Sequence, residues 1–186
     1  AVRVGIFLLS PLLIGLIGVA DTFVVAVLSA KWVPCIPFLR ILTLVFLVRP
    51  FTTTCQQSIL SVGRSDVTLK IEILVNAVAI GILFYSVFIL ESVIGIAIGT
   101  LFAEGVSMVM FMYYENKIIR YSYKEQLQDL LPSLTMSTLM GGFVYLLHFL
   151  PLHEGLVLII QIVIGAAFYL LVSYAIKFEP FIYLIK

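Results

Sequence analysis

Charged residues are scarce in this chain. It carries 11 Lys and Arg and 10 Asp and Glu among 186 residues, so 11% are charged where a soluble domain has roughly 25%. Hydrophobic residues make up 62%, and the mean hydropathy is +1.20. These values exclude a typical soluble domain and predict a polytopic membrane protein. The net charge is +1 and the basic residues are too scattered to form a patch, so we expect no nucleic-acid partner.

Residues for covalent and metal chemistry are also few. Cys35 and Cys55 lie 20 residues apart on one predicted helix, which separates them by about 30 Å and excludes a disulfide between them. His148 and His153, with Glu154 nearby, are a weak metal signal. The sequence has no G-x-S-x-G, H-E-x-x-H or P-loop motif. We therefore expect no enzyme, no metal site and no cofactor.

Long apolar runs take up most of the sequence. A bilayer core of roughly 30 Å needs about 20 apolar residues per helix. Six stretches meet this length: Val4 to Leu28, Pro34 to Leu60, Val67 to Leu90, Ser92 to Tyr114, Leu130 to Leu150 and Gly155 to Ile176. The predicted fold is therefore all-α, a polytopic transmembrane helical bundle with six spans.

Basic residues between the spans indicate the orientation. Eight of the eleven fall on or near one side: Arg3, Arg64, Lys70, Lys117, Arg120, Lys124, Lys177 and Lys186. The opposite connections hold Lys31 alone, while Arg40 and Arg49 lie within the second span. The positive-inside rule then places both ends of this segment in the cytoplasm.

Residues 115–129 form the longest break between spans. Basic side chains alternate there with Ile, Leu and Tyr. This pattern predicts an amphipathic cytoplasmic linker that rests on the membrane, with binding of anionic lipid as the alternative.

Arg49 is the most informative polar residue inside a predicted span. A guanidinium in hydrocarbon costs roughly 3 kcal/mol on insertion scales, so it is usually turned toward a polar cavity or a partner. Pro50 follows it and has no backbone N–H to donate to the carbonyl of Phe46. Such a defect is tolerated at membrane depth only where protein or cavity water satisfies the carbonyl.

Polar residues follow Arg49 at helical spacing. Thr53 lies four residues on and Gln56 three further, with Thr52 and Gln57 beside them, which predicts one polar stripe running toward the cytoplasmic end. A hydrated cavity facing this stripe would suit phosphate or pyrophosphate, because a guanidinium donates bidentate hydrogen bonds to phosphoryl oxygens. The predicted substrate-binding residues are Arg49, Thr53, Gln56 and Gln57. The alternative is a helix-packing stripe.

Glu104 is the matching acidic residue, halfway along the fourth span. We hypothesise that it pairs with Arg49, and that substrate phosphate or protonation breaks the pair and drives a change between inward-facing and outward-facing states. The alternative is a permanent structural ion pair. H⁺ and Na⁺ are the candidate coupling ions.

Four further polar residues lie inside spans. Asp21 is interpreted as a helix cap followed by a short interfacial helix, with ion pairing or coupling as the alternative. Arg40 is interpreted as an anchor that reaches the outer interface. Asn76 and Gln161 are predicted to make hydrogen bonds between helices.

Several short motifs resemble a known family. They are Ser10-Pro11-Leu12, Val19-Ala20-Asp21, Lys31-Trp32, Leu39-Arg40-Ile41-Leu42, Arg49-Pro50, Gln57-Ser58-Ile59-Leu60 and Gly63-Arg64-Ser65-Asp66. This set, within Ser10 to Glu72, resembles Wzx-type polysaccharide flippases. More narrowly, it is similar to the colanic-acid exporter branch of the multidrug, oligosaccharidyl-lipid and polysaccharide exporter superfamily.

The resemblance implies a two-lobed helical transporter of which this chain is the C-terminal lobe. The chain begins with Ala1, and we interpret it as a segment whose upstream half is missing. The implied substrate is an undecaprenyl-pyrophosphate-linked oligosaccharide, moved across the bacterial cytoplasmic membrane, with Arg49 holding the pyrophosphate. The expected partners are this lipid-linked oligosaccharide and membrane lipids, with a polysaccharide polymerase and chain-length machinery as candidate protein partners.

Three other functions stay open from the sequence. An ion-coupled multidrug exporter would need no strong anion site. An integral-membrane glycan polymerase or ligase would be expected to carry reactive residues on a substantial outer loop, and the predicted outer loops are short. A non-transporting membrane scaffold would leave Arg49 unexplained.

Overall fold

A computed structural model of the chain describes residues 2–149 and 153–175. The described part is built from six long α-helices. They are α1 (Val2–Phe23), α2 (Ile36–Ser61), α3 (Ser65–Phe88), α4 (Val93–Ile119), α5 (Tyr123–Leu146) and α6 (Glu154–Ala175). A π-helical turn (Val24–Leu28) and a 3-10 helix (Ala30–Cys35) join α1 to α2, and a 3-10 turn (Leu147–Phe149) follows α5.

The all-α, six-span prediction is confirmed. Six helical stretches in the described part are long and apolar enough to cross a membrane, each with mean hydropathy between 1.5 and 2.6. Their order and approximate bounds follow the apolar runs of the sequence. The predicted ends at Leu150 and Ile176 lie outside the described residues.

The cap interpretation of Asp21 is wrong. Helix α1 continues through Asp21 to Phe23 and runs directly into the π-helical turn. The carboxylate instead accepts a hydrogen bond from the Arg40 guanidinium on α2. Arg40, nineteen residues further along the chain, satisfies the Asp21 carboxylate inside the helix. The presence of this acid therefore does not require a helix end at Asp21.

Residues 115–129 do not form a separate linker element. Helix α4 extends to Ile119 and α5 begins at Tyr123, so only three residues separate the two helices. Arg120 ends α4 in the left-handed conformation, with φ of 63°. The Tyr121 carbonyl then accepts hydrogen bonds from the side chains of Asn116, at 3.1 Å, and Gln126, at 2.9 Å. The amphipathic pattern therefore belongs to the ends of two helices joined by a tight turn.

The chain divides into two compact units. Unit 1 comprises Arg3–Thr43 and the described residues from Asp129 onward, and unit 2 comprises Leu44–Gln128.

Unit 1 is held together by close packing of α1 against α5. Its buried core comprises Phe7, Val19, Met136, Met140, Val144 and Tyr169. Gly18 and Gly141 lie at the contact between the two helices, and a Cβ atom on Gly18 would be 2.9 Å from the Gly141 carbonyl oxygen. Small residues at such contacts let helix backbones approach, which is how membrane helices gain packing energy.

Buried polar groups in unit 1 bond across helices. The hydroxyls of Ser10 and Ser137 are 2.8 Å apart. The Gln161 side chain donates to the Val144 carbonyl at 3.0 Å, as predicted for an interhelical hydrogen bond. Pro11 has no N–H to donate to the Phe7 carbonyl one turn back, and the Tyr169 hydroxyl donates to that carbonyl at 2.9 Å.

Removing the Tyr169 hydroxyl should destabilise unit 1. We expect Tyr169→Phe to lower the free energy of unfolding by about 1 kcal/mol, the typical net value of one hydrogen bond. The measurement is unfolding of the purified protein by SDS titration in detergent micelles. Tyr174→Phe on the same helix, where the side chain is exposed, should leave the midpoint unchanged. Equal midpoints for both variants would contradict the assigned role of the Tyr169 hydroxyl.

Candidate functional site

The candidate site lies in unit 2, where α3 and α4 pack against each other beside the second half of α2. Small residues on α4 permit the packing. Gly99 faces Ile82, and a Cβ atom there would overlap the Ile82 side chain. Gly95 faces Ser86 on α3, where a Cβ atom would lie 3.3 Å from the Ser86 hydroxyl. This packing fixes the face of α4 that carries Glu104.

Arg49 and Glu104 are brought together in this unit. The Nε atom of Arg49 lies 3.7 Å from Oε2 of Glu104. This separation allows electrostatic attraction but exceeds the length of a hydrogen bond. Oε1 of Glu104 is held separately, because it lies 2.9 Å from the Thr52 hydroxyl, which donates to it. The carboxylate is therefore fixed mainly by Thr52, and Arg49 is only loosely attached to it.

Exposure differs sharply between the two charged side chains. The Glu104 side chain is 15% exposed and the Arg49 side chain is 60% exposed. The guanidinium lies over the ring of Phe46, 5.8 Å from its centroid, within the range of a cation–π contact. Among the described residues, no side chain or carbonyl accepts a hydrogen bond from this guanidinium. Its N–H groups can thus bind an anion.

The structure changes the register of the predicted polar stripe. Thr52, which was predicted only to flank the stripe, is the threonine that contacts Glu104, and it is buried. Its hydroxyl also lies 2.9 Å from the Arg49 carbonyl oxygen, so one proton serves two acceptors. Thr53 is exposed and makes no hydrogen bond through its side chain to another described residue.

The two glutamines of the predicted stripe are separated in the structure. Gln56 donates to Oε1 of Glu72 on α3 at 3.2 Å. Gln57 is exposed. The structure therefore joins Arg49 to Glu104 and Gln56 to Glu72, as two polar contacts of α2 with different helices.

A cavity of about 300 Å³ adjoins Arg49 and Glu104. Its other polar lining residues are Asn76 on α3 and Thr100 on α4, and the remaining lining is largely apolar. Asn76 does not make the predicted interhelical hydrogen bond. Its side chain has no hydrogen-bond partner among the described residues, and Asn76 is an exposed residue that lines the cavity. Thr100 donates to the carbonyl of Ile96 in its own helix at 2.9 Å.

Sequence reasoning missed Asn76 and Thr100 as members of this site. The sequence did carry a signal for them: Asn76 is an isolated amide in α3 and Thr100 an isolated hydroxyl in α4, and these two apolar helices pack against each other. Asp21 was predicted as a candidate for coupling or ion pairing, and the structure places it in unit 1, beside Arg40.

Part of the chain is similar in sequence to a named bacterial protein. Over 56 residues it is 39% identical to the teichuronic acid biosynthesis protein TuaB of Bacillus subtilis (strain 168). The aligned stretch covers 30% of this chain and 12% of TuaB, so the chain matches only a small part of that relative. No family model and no solved structure matches the chain. With its six apolar helices, the chain is a multi-pass membrane protein.

Proposed function

We propose that this protein acts in polysaccharide biosynthesis as a flippase. Its substrate would be an undecaprenyl-pyrophosphate-linked oligosaccharide, moved from the inner to the outer leaflet of a bacterial cytoplasmic membrane. The partial similarity to a teichuronic acid biosynthesis protein supports the polysaccharide context. The six apolar helices support a protein that works within the membrane.

The open guanidinium of Arg49 is the observation that carries the proposal. Arg49 lies midway along an apolar helix, at a cavity, with its N–H groups unused by the described residues. A structural ion pair would hold both partners by hydrogen bonds, because an unpaired charge in the membrane interior is costly. Two parallel N–H groups match the spacing of phosphoryl oxygens. The pyrophosphate of a lipid-linked saccharide is such an anion.

Glu104 would help the site to release its ligand by competing with it for Arg49. An incoming phosphoryl group would compete with Oε2 of Glu104 for the guanidinium, while Oε1 keeps its bond to Thr52. The carboxylate therefore stays in place and can recover Arg49 when the anion leaves. A ligand changes a conformational equilibrium only through its different affinity for the two states. In this proposal the inward-facing and outward-facing states differ in the distance between Arg49 and Glu104.

Both ends of the segment would lie in the cytoplasm, in keeping with the basic residues between the spans. The protein would move its substrate without covalent chemistry and without a cofactor, with H⁺ or Na⁺ as candidate coupling ions. Membrane lipids, a polysaccharide polymerase and chain-length machinery would be its partners.

Reconstitution of the full-length protein tests the proposal. We expect proteoliposomes to move a fluorescent undecaprenyl-pyrophosphate-linked saccharide between leaflets, measured as the fraction protected from a membrane-impermeant quencher. Protein-free vesicles serve as the control for spontaneous movement. A lipophilic cation such as ethidium, tested in parallel, distinguishes the multidrug exporter. Movement of ethidium without movement of the saccharide would overturn the flippase proposal.

A further inference from the structure

The turn between α4 and α5, which belongs to unit 2, carries three basic side chains without partners. Lys117 lies in the last turn of α4, Arg120 ends that helix, and Lys124 lies in the first turn of α5. All three are exposed, and none has an ion-pair or hydrogen-bond partner for its side chain among the described residues. Glu125 is the one acid between positions 117 and 128, and its carboxylate accepts a hydrogen bond from the Ser122 N–H at 3.0 Å. The exposed surface of this turn is therefore positively charged.

Hydrogen bonds hold the turn in one conformation. The Tyr121 carbonyl accepts from Asn116, at the end of α4, and from Gln126, at the start of α5, so a single oxygen ties the two helix ends together. Asn116 directly precedes Lys117, and Gln126 follows Lys124 by two residues. The basic residues therefore belong to one fixed turn, in which the ends of the two helices are held close to each other.

Arg120 occupies a position at which glycine is common. Its φ is 63°, in the left-handed region, where a Cβ atom is sterically unfavourable and where glycine ends many helices. Its backbone N–H donates to the Asn116 carbonyl at 3.0 Å, a bond that glycine would make equally well. The fold of the turn thus does not require an arginine. An unfavourable backbone conformation kept by a charged residue points to a role for its side chain.

Apolar and aromatic side chains flank these cations in the sequence. Ile119, Tyr123 and Leu127 are all exposed, on the same two helix ends. Helices α4 and α5 are each long and apolar enough to cross a membrane, so the turn that joins them lies at a membrane surface. At that depth basic side chains meet the headgroups of anionic lipids, while apolar and aromatic ones contact the beginning of the acyl chains. Both kinds of side chain match a phospholipid with a negative headgroup.

We propose that the turn between α4 and α5 binds the headgroup of an anionic phospholipid such as phosphatidylglycerol. Arg120 donates to the phosphate oxygens and the two lysines add positive charge, while Tyr123 and Leu127 contact the lipid below its headgroup. A zwitterionic phospholipid has the same phosphate, but the three cations repel its ammonium group. This inference does not depend on the proposed transport activity, because it applies equally to a flippase and to a multidrug exporter.

Native mass spectrometry of the purified full-length protein, released from detergent micelles, tests the inference. The protein is titrated with dioleoylphosphatidylglycerol or with dioleoylphosphatidylethanolamine, and the affinity for the first bound lipid is measured. We expect phosphatidylglycerol to bind more tightly. Arg120→Gly should weaken its binding about fivefold, the value of one cation near an anionic lipid, and should leave phosphatidylethanolamine binding unchanged. Lys117→Gln, Arg120→Gly and Lys124→Gln combined should weaken phosphatidylglycerol binding about a hundredfold.

Two controls separate lipid binding from folding and from net charge. Arg120→Gly should not lower the midpoint of SDS unfolding, because glycine adopts a positive φ without steric cost, so its loss of binding is not a loss of fold. Lys31→Gln removes an exposed cation from the connection between α1 and α2 and should leave both lipid affinities unchanged.

Four outcomes would overturn the inference. The first is equal affinity of the unmodified protein for the two lipids, and the second is unchanged affinity for phosphatidylglycerol in the triple variant. The third is a loss of binding in Lys31→Gln as large as in Arg120→Gly, which would show a response to net charge alone. The fourth is displacement of the lipid by an equal concentration of inorganic phosphate, which would show a site for free anions.

Discussion

Replacing Arg49 with alanine should abolish transport while leaving the protein inserted and folded. The Arg49 side chain is 60% exposed and only loosely attached to Glu104, so its removal costs little packing. A charge-assisted hydrogen bond is worth about 1.5 to 3 kcal/mol, so loss of a bidentate pair should lower substrate affinity by about a hundredfold or more. Transport in the reconstituted system, corrected for the amount of protein inserted, is the measurement.

Arg49→Lys should restore only part of this activity. Lysine keeps the positive charge but lacks the planar pair of donors that matches two phosphoryl oxygens. Arg64→Ala is the matched control, because Arg64 is exposed in the turn between α2 and α3 and pairs with its neighbour Asp66 at 3.0 Å. Full transport by the Arg49→Ala variant would rule out the pyrophosphate site.

Enlarging Gly18 should strongly destabilise unit 1. A Cβ atom there would meet the backbone oxygen of Gly141 at 2.9 Å, and a backbone atom cannot rotate away as a flexible side chain can. Helices α1 and α5 would have to separate. We expect Gly18→Val to lower the free energy of unfolding by about 1 to 3 kcal/mol, the usual cost of overpacking. SDS titration of the purified protein measures this change.

A neighbouring glycine on α5 provides the control. Gly142 has open space where a Cβ atom would lie, so Gly142→Ala should be neutral or slightly stabilising. Gly141→Ala should resemble the Gly18 variant, because its Cβ atom would lie 2.7 Å from a methyl group of Ile14. Unchanged midpoints for both Gly18→Val and Gly141→Ala would show that α1 and α5 are not packed as described.

The six helices could be predicted because a membrane span needs only length and apolar composition. These are properties of a single stretch of sequence, and they were enough to place each long helix that the structure describes. The helix ends that extend beyond the predicted spans were harder to predict. Residues 115–119 carry charges that ended the predicted fourth span at Tyr114, yet charged residues such as Lys117 continue a helix as readily as apolar ones.

The partners of the polar residues could not be predicted in the same way. Thr52 and Thr53 lie about 60° to one side and about 40° to the other side of Arg49 on a helix, so spacing alone cannot decide which one faces Glu104. The contact at 2.9 Å from Thr52 depends on where α4 packs. The same holds for Asp21, whose partner Arg40 lies on another helix. Tertiary packing, and not local sequence, assigns these roles.

Because Thr52 holds the Glu104 carboxylate in place, the net charge of the site in the proposed cycle depends on whether the anion is bound. In the proposed cycle, the described part of the empty site would hold one guanidinium and one carboxylate and carry no net charge, so its return across the membrane would be insensitive to voltage. A site loaded with a phosphoryl anion is negative. The transmembrane potential contributes about 2.3 kcal/mol per charge per 100 mV. With a negative cell interior, this field would drive the loaded anion outward and leave the empty return unopposed, so in the proposed cycle the fixed carboxylate would make voltage a source of direction for export.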